Sequence, residues 1–297
     1  MTGIWNAIFA AGFFANPEVQ NALWLGGVIA VVSGCIGVFT VLRGQSFAGH
    51  AMSDMGAAGA AGALLAGGTA VAGFLSFSVV AGVSVDLLGV RPRDRDVATG
   101  LVLTAVLGLG SLFLFFDTRT VGAPEIILFG SLFTSDPGLT PWLSALGAAV
   151  LLALAILFRP LVFISLSPDT ALARGVPVRA VGFAFMLLLA LAVGESSLVV
   201  GSLLSTSLLI GPASAALRVT ARLRHAIPLA AGLGLLGTWL GILLAYDSFY
   251  WPPYGRGWPV SFFITGIVLA IHLLSRLCPP ADRHGSTRAE RTAKRGV

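Results

Sequence analysis

Apolar runs of roughly 20 residues, the length a helix needs to cross a bilayer, recur along most of this sequence. They fall at 22–42, 48–66, 69–88, 97–116, 141–158, 179–197, 198–217, 227–246 and 259–276. Of the 297 residues, 56% are hydrophobic and 10% charged. A water-soluble domain has about 25% charged residues with which to cover its core. The pattern predicts an all-α integral membrane protein, a polytopic bundle of about eight to nine transmembrane helices in the lipid bilayer. Two spans are weaker than the rest. The segment 48–66 is rich in glycine and alanine, and 198–217 follows its predecessor without a break. A further apolar piece, 126–133, is too short to span and reads as re-entrant or interfacial.

Charge gives the spans a side. The formal net charge is +5, gathered in Arg91 to Arg95, Arg218 to Arg224 and the tail from Arg276 to Arg295. Short basic loops alternating with apolar spans set orientation in a membrane, and nothing in the pattern points to nucleic acid. The tail carries Arg283, Arg288, Arg291, Lys294 and Arg295 and is expected in the cytoplasm. Counting back through nine spans puts Arg43, Arg91–Arg95, Arg159–Arg179 and Arg218–His225 on the same side. Glu125, Asp136, Glu195 and Asp247 fall on the other. The expected organisation is an extracytoplasmic segment 1–21, a transmembrane domain 22–277, and a basic, disordered cytoplasmic tail 278–297.

Ionisable side chains inside a span are rare and by default functional. His50 and Asp54 are the leading pair, four positions apart and so on one face of a helix. Imidazole nitrogen and carboxylate oxygen suit divalent ions such as zinc or manganese. Two ligands are too few for a closed structural site but suit a site that a metal enters and leaves. The same spacing equally fits an internal His–Asp contact, or Arg43 neutralising Asp54. Glu195, near the outer end of its span, reads as a mouth charge or a solvated end ahead of a further ligand. His272 reads as a packed or snorkelling side chain, and His225 as a cytoplasmic loop residue. The small residues from Gly56 to Gly73 predict a tight helix interface. Four methionines and two cysteines are few for a copper(I) pathway, which prefers sulfur.

Between two spans, SLSPDTALARGVPVRAVGF carries helix punctuation. Ser167 is placed to cap, Pro168 to open and Asp169 to occupy the first turn, with Gly175 and Pro177 ending the helix. A short helix over 168–174 on the cytoplasmic side follows, either a docking surface or an ordinary connector. Lys294 is the only lysine in the chain. A phosphate-binding P-loop needs a lysine directly after its glycine-rich loop. The chain is therefore not expected to be an enzyme, and any ATPase must be a separate subunit.

Three segments in order resemble the membrane permeases of the zinc/manganese/iron ABC importer family. VLRGQSFAGHAMSDMG (41–56) is similar to that family's R-x-x-S-x-x-G-D-x-x-S-H stretch. SLSPDTALARGVPVRAVGF (165–183) resembles its D-x-x-x-A-x-x-x-G-V-x-V coupling segment, and VVGSLLSTSLLIGPASAALRVT (199–220) its V-V-G-x-L-L stretch. The likeness runs from about residue 26 to about residue 274. One departure stands out: His50 occupies the family's Asp position and Asp54 its His position.

The resemblance implies a type II-like importer permease in a bacterial inner or plasma membrane, paired with a second copy. A cytoplasmic ABC ATPase would dock on 169–178, with Asp169, Leu172, Ala173, Gly175 and Val176 as docking residues. An extracytoplasmic metal-binding protein would deliver the ion to outer loops such as 117–124 and 247–258. His50 and Asp54 would be the transit site, with the metal as cargo and no permanent cofactor. The rival readings are an ATP-independent secondary transporter or channel, an intramembrane metalloenzyme, and a purely structural subunit. The first expects more intramembrane acids or an internal repeat. The second expects three metal ligands.

Overall fold

The computed structural model describes residues 13–88, 92–116, 130, 132, 138–251 and 257–278. Within them the chain forms helices α1 (Pro17–Leu42), α2 (Ser46–Leu65), α3 (Ala70–Leu88), α4 (Pro92–Phe116) and α5 (Thr140–Leu166). A short α6 (Pro168–Ala173) precedes α7 (Val178–Val200), α8 (Ser202–Val219), α9 (Leu223–Asp247) and α10 (Val260–Ser275). Single 3-10 turns lie at Phe13–Ala15 and Ser248–Tyr250. The fold is an all-helical membrane bundle. By length and composition α1, α5, α7, the Thr99–Phe116 part of α4 and Leu223–Tyr250 each suffice to cross a bilayer, while shorter apolar helices cover Ala70–Val85, Leu204–Val219 and Val260–Ser275.

Burial separates inner helices from outer ones. The apolar windows of α1 and α7 are 78% and 72% buried, against 11% for α4 and 22% for α5. Leu101, Phe115, Leu152 and Ile156 stand exposed on those two outer helices, as expected where the solvent is hydrocarbon. The main core joins Ile36 and Phe39 of α1, Met52 and Met55 of α2, Leu161 of α5, Phe185, Met186 and Leu189 of α7, and Leu209 of α8.

The first helix begins at Pro17, not at residue 22. Asn16 accepts a hydrogen bond from the Glu18 amide at 2.9 Å, with Pro17 opening the helix. These are the same start signals read at 167–169. The break between α7 and α8, hidden in the hydropathy, is Gly201 with φ of 96°. The apolar piece 126–133, read from sequence as re-entrant or interfacial, falls almost wholly outside the described residues, and 117–124, 252–256 and the tail beyond residue 278 fall wholly outside them.

The glycine- and alanine-rich α2 is a buried helix despite its modest apolarity. Ala51, Met52, Ser53, Met55, Gly59 and Ala60 are all inside. A side chain at Gly59 would run into Phe77 and the Gly73 carbonyl of α3. Small residues bring the two backbones together, and close van der Waals contact replaces the bulk of larger side chains.

Candidate functional site

α2 carries the two leading residues, and its capacity to do so follows from its position. It lies among α3, α4, α7 and α8. His50 and Asp54 share one face, as their spacing requires, with His50 Nε2 3.5 Å from Asp54 Oδ2. That separation exceeds the 2.7–3.2 Å of a well-formed N–H···O bond, so the pair is adjacent without being locked. Their side chains are 39% and 17% exposed. Among the described residues no third His, Cys, Asp or Glu joins them to make a metal-holding group.

The structure adds a set of hydroxyls around the pair. His50 Nδ1 lies 3.0 Å from Thr206 Oγ1 of α8. One turn further along α2, Ser53 Oγ meets Ser197 Oγ of α7 at 2.7 Å and Ser205 Oγ of α8 at 2.8 Å. It also donates to the Ser202 carbonyl at 2.9 Å. Ser53, Ser197 and Ser205 are fully buried, and buried hydroxyls find partners. Here they find one another across three helices. Sequence reasoning missed this seam. Its signal was present: Ser202, Ser205 and Thr206 recur at helical spacing, and Ser53 sits between His50 and Asp54. Hydroxyls alone are common in membrane helices, so only the packing of α2 on α8 gives them meaning.

Glu195 is neither a mouth charge nor a solvated end. It is fully buried. Ser197, two positions on, faces the seam, and two residues rotate a helix by about 200°. Glu195 thus points to the other side of α7 and is no further ligand to the pair. His272 is packed as expected, 2.9 Å from Ser214 Oγ between α8 and α10. His225 is exposed, although it lies in the first turn of α9 instead of a loop.

The short helix at 168–174 forms as α6. Ser167 occupies the capping position but its side chain makes no capping hydrogen bond. The same residue also closes α5, its amide donating to the Phe163 carbonyl at 3.1 Å. The other end follows the sequence closely. Val176 donates to the Ala171 carbonyl at 3.0 Å and Gly175 to that of Leu172 at 2.9 Å. This is a Schellman turn, with Gly175 at φ of 78° supplying the left-handed residue. Ala171 is buried against the bundle while Asp169, Leu172, Ala173 and Gly175 are exposed and Val176 is half-buried. Leu172, at 60% exposure, is an apolar side chain presented outward on a rigid turn. Arg174 braces it from behind, its guanidinium 5.5 Å from the Phe163 ring of α5.

This architecture matches known proteins along most of its length. Residues 16–253 fit the model of the ABC 3 transport family. The manganese import system permease protein ScaB of Streptococcus gordonii is 31% identical over 241 residues, 80% of this chain and 86% of that protein. The manganese transport system membrane protein MntC of Listeria innocua is 30% identical over 244 residues, 80% and 85% of the two chains. Among solved structures, PsaBC from Streptococcus pneumoniae in complex with Fab superposes with a TM-score of 0.80 at 26% identity, covering 95% of this chain and 99% of that one. With an all-helical membrane bundle that the family model covers from residue 16 to residue 253, the chain belongs to the ABC 3 transport family.

Proposed function

We propose that this chain is the membrane permease of an ATP-driven importer for a divalent transition metal, manganese first and zinc or ferrous iron after it. The observation that carries the reading is the His50–Asp54 pair, part-exposed on an inner helix, its ligand atoms 3.5 Å apart. Two ligands about 2.1 Å from a tetrahedral zinc ion stand about 3.4 Å apart, and an octahedral ion such as manganese draws them somewhat closer. The pair is therefore spaced to grip an ion with little movement. The reversed order of the two residues leaves this intact, because both still share a face. With two protein ligands, and water or hydroxyl oxygens completing the shell, an ion is held weakly enough to leave. The names of the manganese permeases above favour manganese. Zinc and iron accept the same donors.

In this reading a cytoplasmic ABC ATPase docks on α6 through Asp169, Leu172, Ala173, Gly175 and Val176. A second copy completes the membrane unit, an extracytoplasmic metal-binding protein delivers the ion, and the tail lies in the cytoplasm. Nucleotide drives the cycle only through its different affinities for the outward- and inward-open states.

Uptake of manganese, zinc and iron by cells expressing the whole transporter tests the reading. His50→Ala and Asp54→Ala should each abolish most uptake of one of these metals at unchanged membrane levels. Wild-type uptake of all three in both variants sinks the transit site. Uptake that persists when the partner ATPase is inactivated sinks the ATP-driven reading.

A further inference from the structure

Glu195 is the only acidic side chain fully buried among the described residues. Neither of its carboxyl oxygens has a hydrogen-bond partner. Its surroundings form a niche shaped to the carboxyl group. A Cβ added to Gly147 of α5 would lie 2.8 Å from Glu195 Oε1, 2.9 Å from Val28 and 3.2 Å from Val32 of α1. The missing side chain at position 147 is thus the space that the carboxyl group fills, and two valines wall it.

Among the described residues, no charge faces it from the helices packed on α7. On α1 the facing residues are valines, with Cys35 one turn beyond Val32 and Glu18 near the far end. On α5 the facing residue is glycine, and Arg159 is about three turns away. α3 presents Leu75 and Ser78 to the neighbouring Gly194, with Asp86 about two turns past Ser78. His50 and Asp54 of α2 lie on the Ser197 side of α7. Arg218 of α8, Asp169 of α6, Arg174 just after it and Arg179 of α7 itself lie toward the α6 end of the bundle, away from Glu195. The single ion pair found among the described residues is His50–Asp54.

Burying an ionised carboxylate without partners is costly, and such groups in general take up a proton instead. We propose that Glu195 is a proton-binding site, protonated while α1, α5 and α7 are packed as described and ionised when they part. The proton is the ligand, and the niche over Gly147 is its site. α5 and α7 are the two helices joined through α6, and the niche clamps the end of that pair away from α6.

The test uses the full chain in lipid vesicles without metal, so its outcome is separate from that of the importer reading. Infrared spectra are recorded across pH on wild type, on wild type labelled with carbon-13 glutamate, and on Glu195→Gln. The expected result is a protonated-acid C=O band at neutral pH that moves with the glutamate label, fades as pH rises, and is lost in Glu195→Gln. The chain has only three other glutamates, Glu18, Glu125 and Glu290. Absence of a label-sensitive acid band from wild type at neutral pH overturns the proposal, as does a band that persists in Glu195→Gln. The labelled wild type decides the first point even where the variant fails to fold.

Discussion

The imidazole of His50 and the hydroxyl of Thr206 meet at 3.0 Å, from Nδ1 to Oγ1, across 156 positions of sequence. A ring that donates its Nδ1 proton to the threonine oxygen presents Nε2 as a lone pair toward Asp54. Partners of this kind on metal-binding histidines typically change affinity or activity 10–100-fold. Thr206→Val keeps the shape and removes the oxygen, so metal uptake is expected to fall about tenfold at the lower end of that range. Thr206→Ser should restore most of it. Initial uptake rates at matched membrane levels check both.

Exchanging His50 and Asp54 is a sharper experiment than deleting either. The double variant His50→Asp, Asp54→His keeps both groups on one face of α2. It returns the order seen in the resemblance but moves the imidazole one turn away from Thr206. Uptake is expected to lie between wild type and the single alanine variants. Uptake as low as in His50→Ala would show that position, and not merely the pair, matters.

At α6 the backbone and the exposed surface can be tested apart. Gly175 sits at φ of 78°, a conformation that costs an L-residue about 1–2 kcal/mol. Gly175→Ala should therefore loosen the turn, lowering thermal stability slightly and weakening ATPase co-purification. Leu172→Asp changes an exposed side chain and should leave stability within about 0.5 kcal/mol while releasing the ATPase. Co-purification from membranes, read beside a thermal melt, separates the two.

Much of the frame was legible because its signals are local. Long apolar runs specify spanning helices wherever they occur, and the spacing of His50 and Asp54 fixes a shared face. Gly175 announces a helix end that forms as read. Asn16–Pro17–Glu18 carried an equally local signal, missed because apolarity sets in later than the helix does. Glu195 and the serine–threonine seam were not legible. Whether a carboxyl group near a helix end meets water or two valines depends on which helix lies across from it, and hydropathy is silent on that. The capping bond read at Ser167 does not form at a residue that closes α5 and opens α6 at once.

The contact between Gly59 and Gly73 bears on where such a bundle can come apart. On its α3 side, α2 is held by backbone pressed on backbone, which no water molecule can replace without opening a void. On its α7 and α8 side it is held by Ser53, Ser197, Ser205 and Thr206, whose hydroxyls can exchange each other for water, at about 0.6 kcal/mol for a typical hydrogen bond between membrane helices. One face of α2 behaves as a weld and the other as a zip. His50 and Asp54 lie along the zip, so the least costly plane of separation passes through the pair proposed as the transit site.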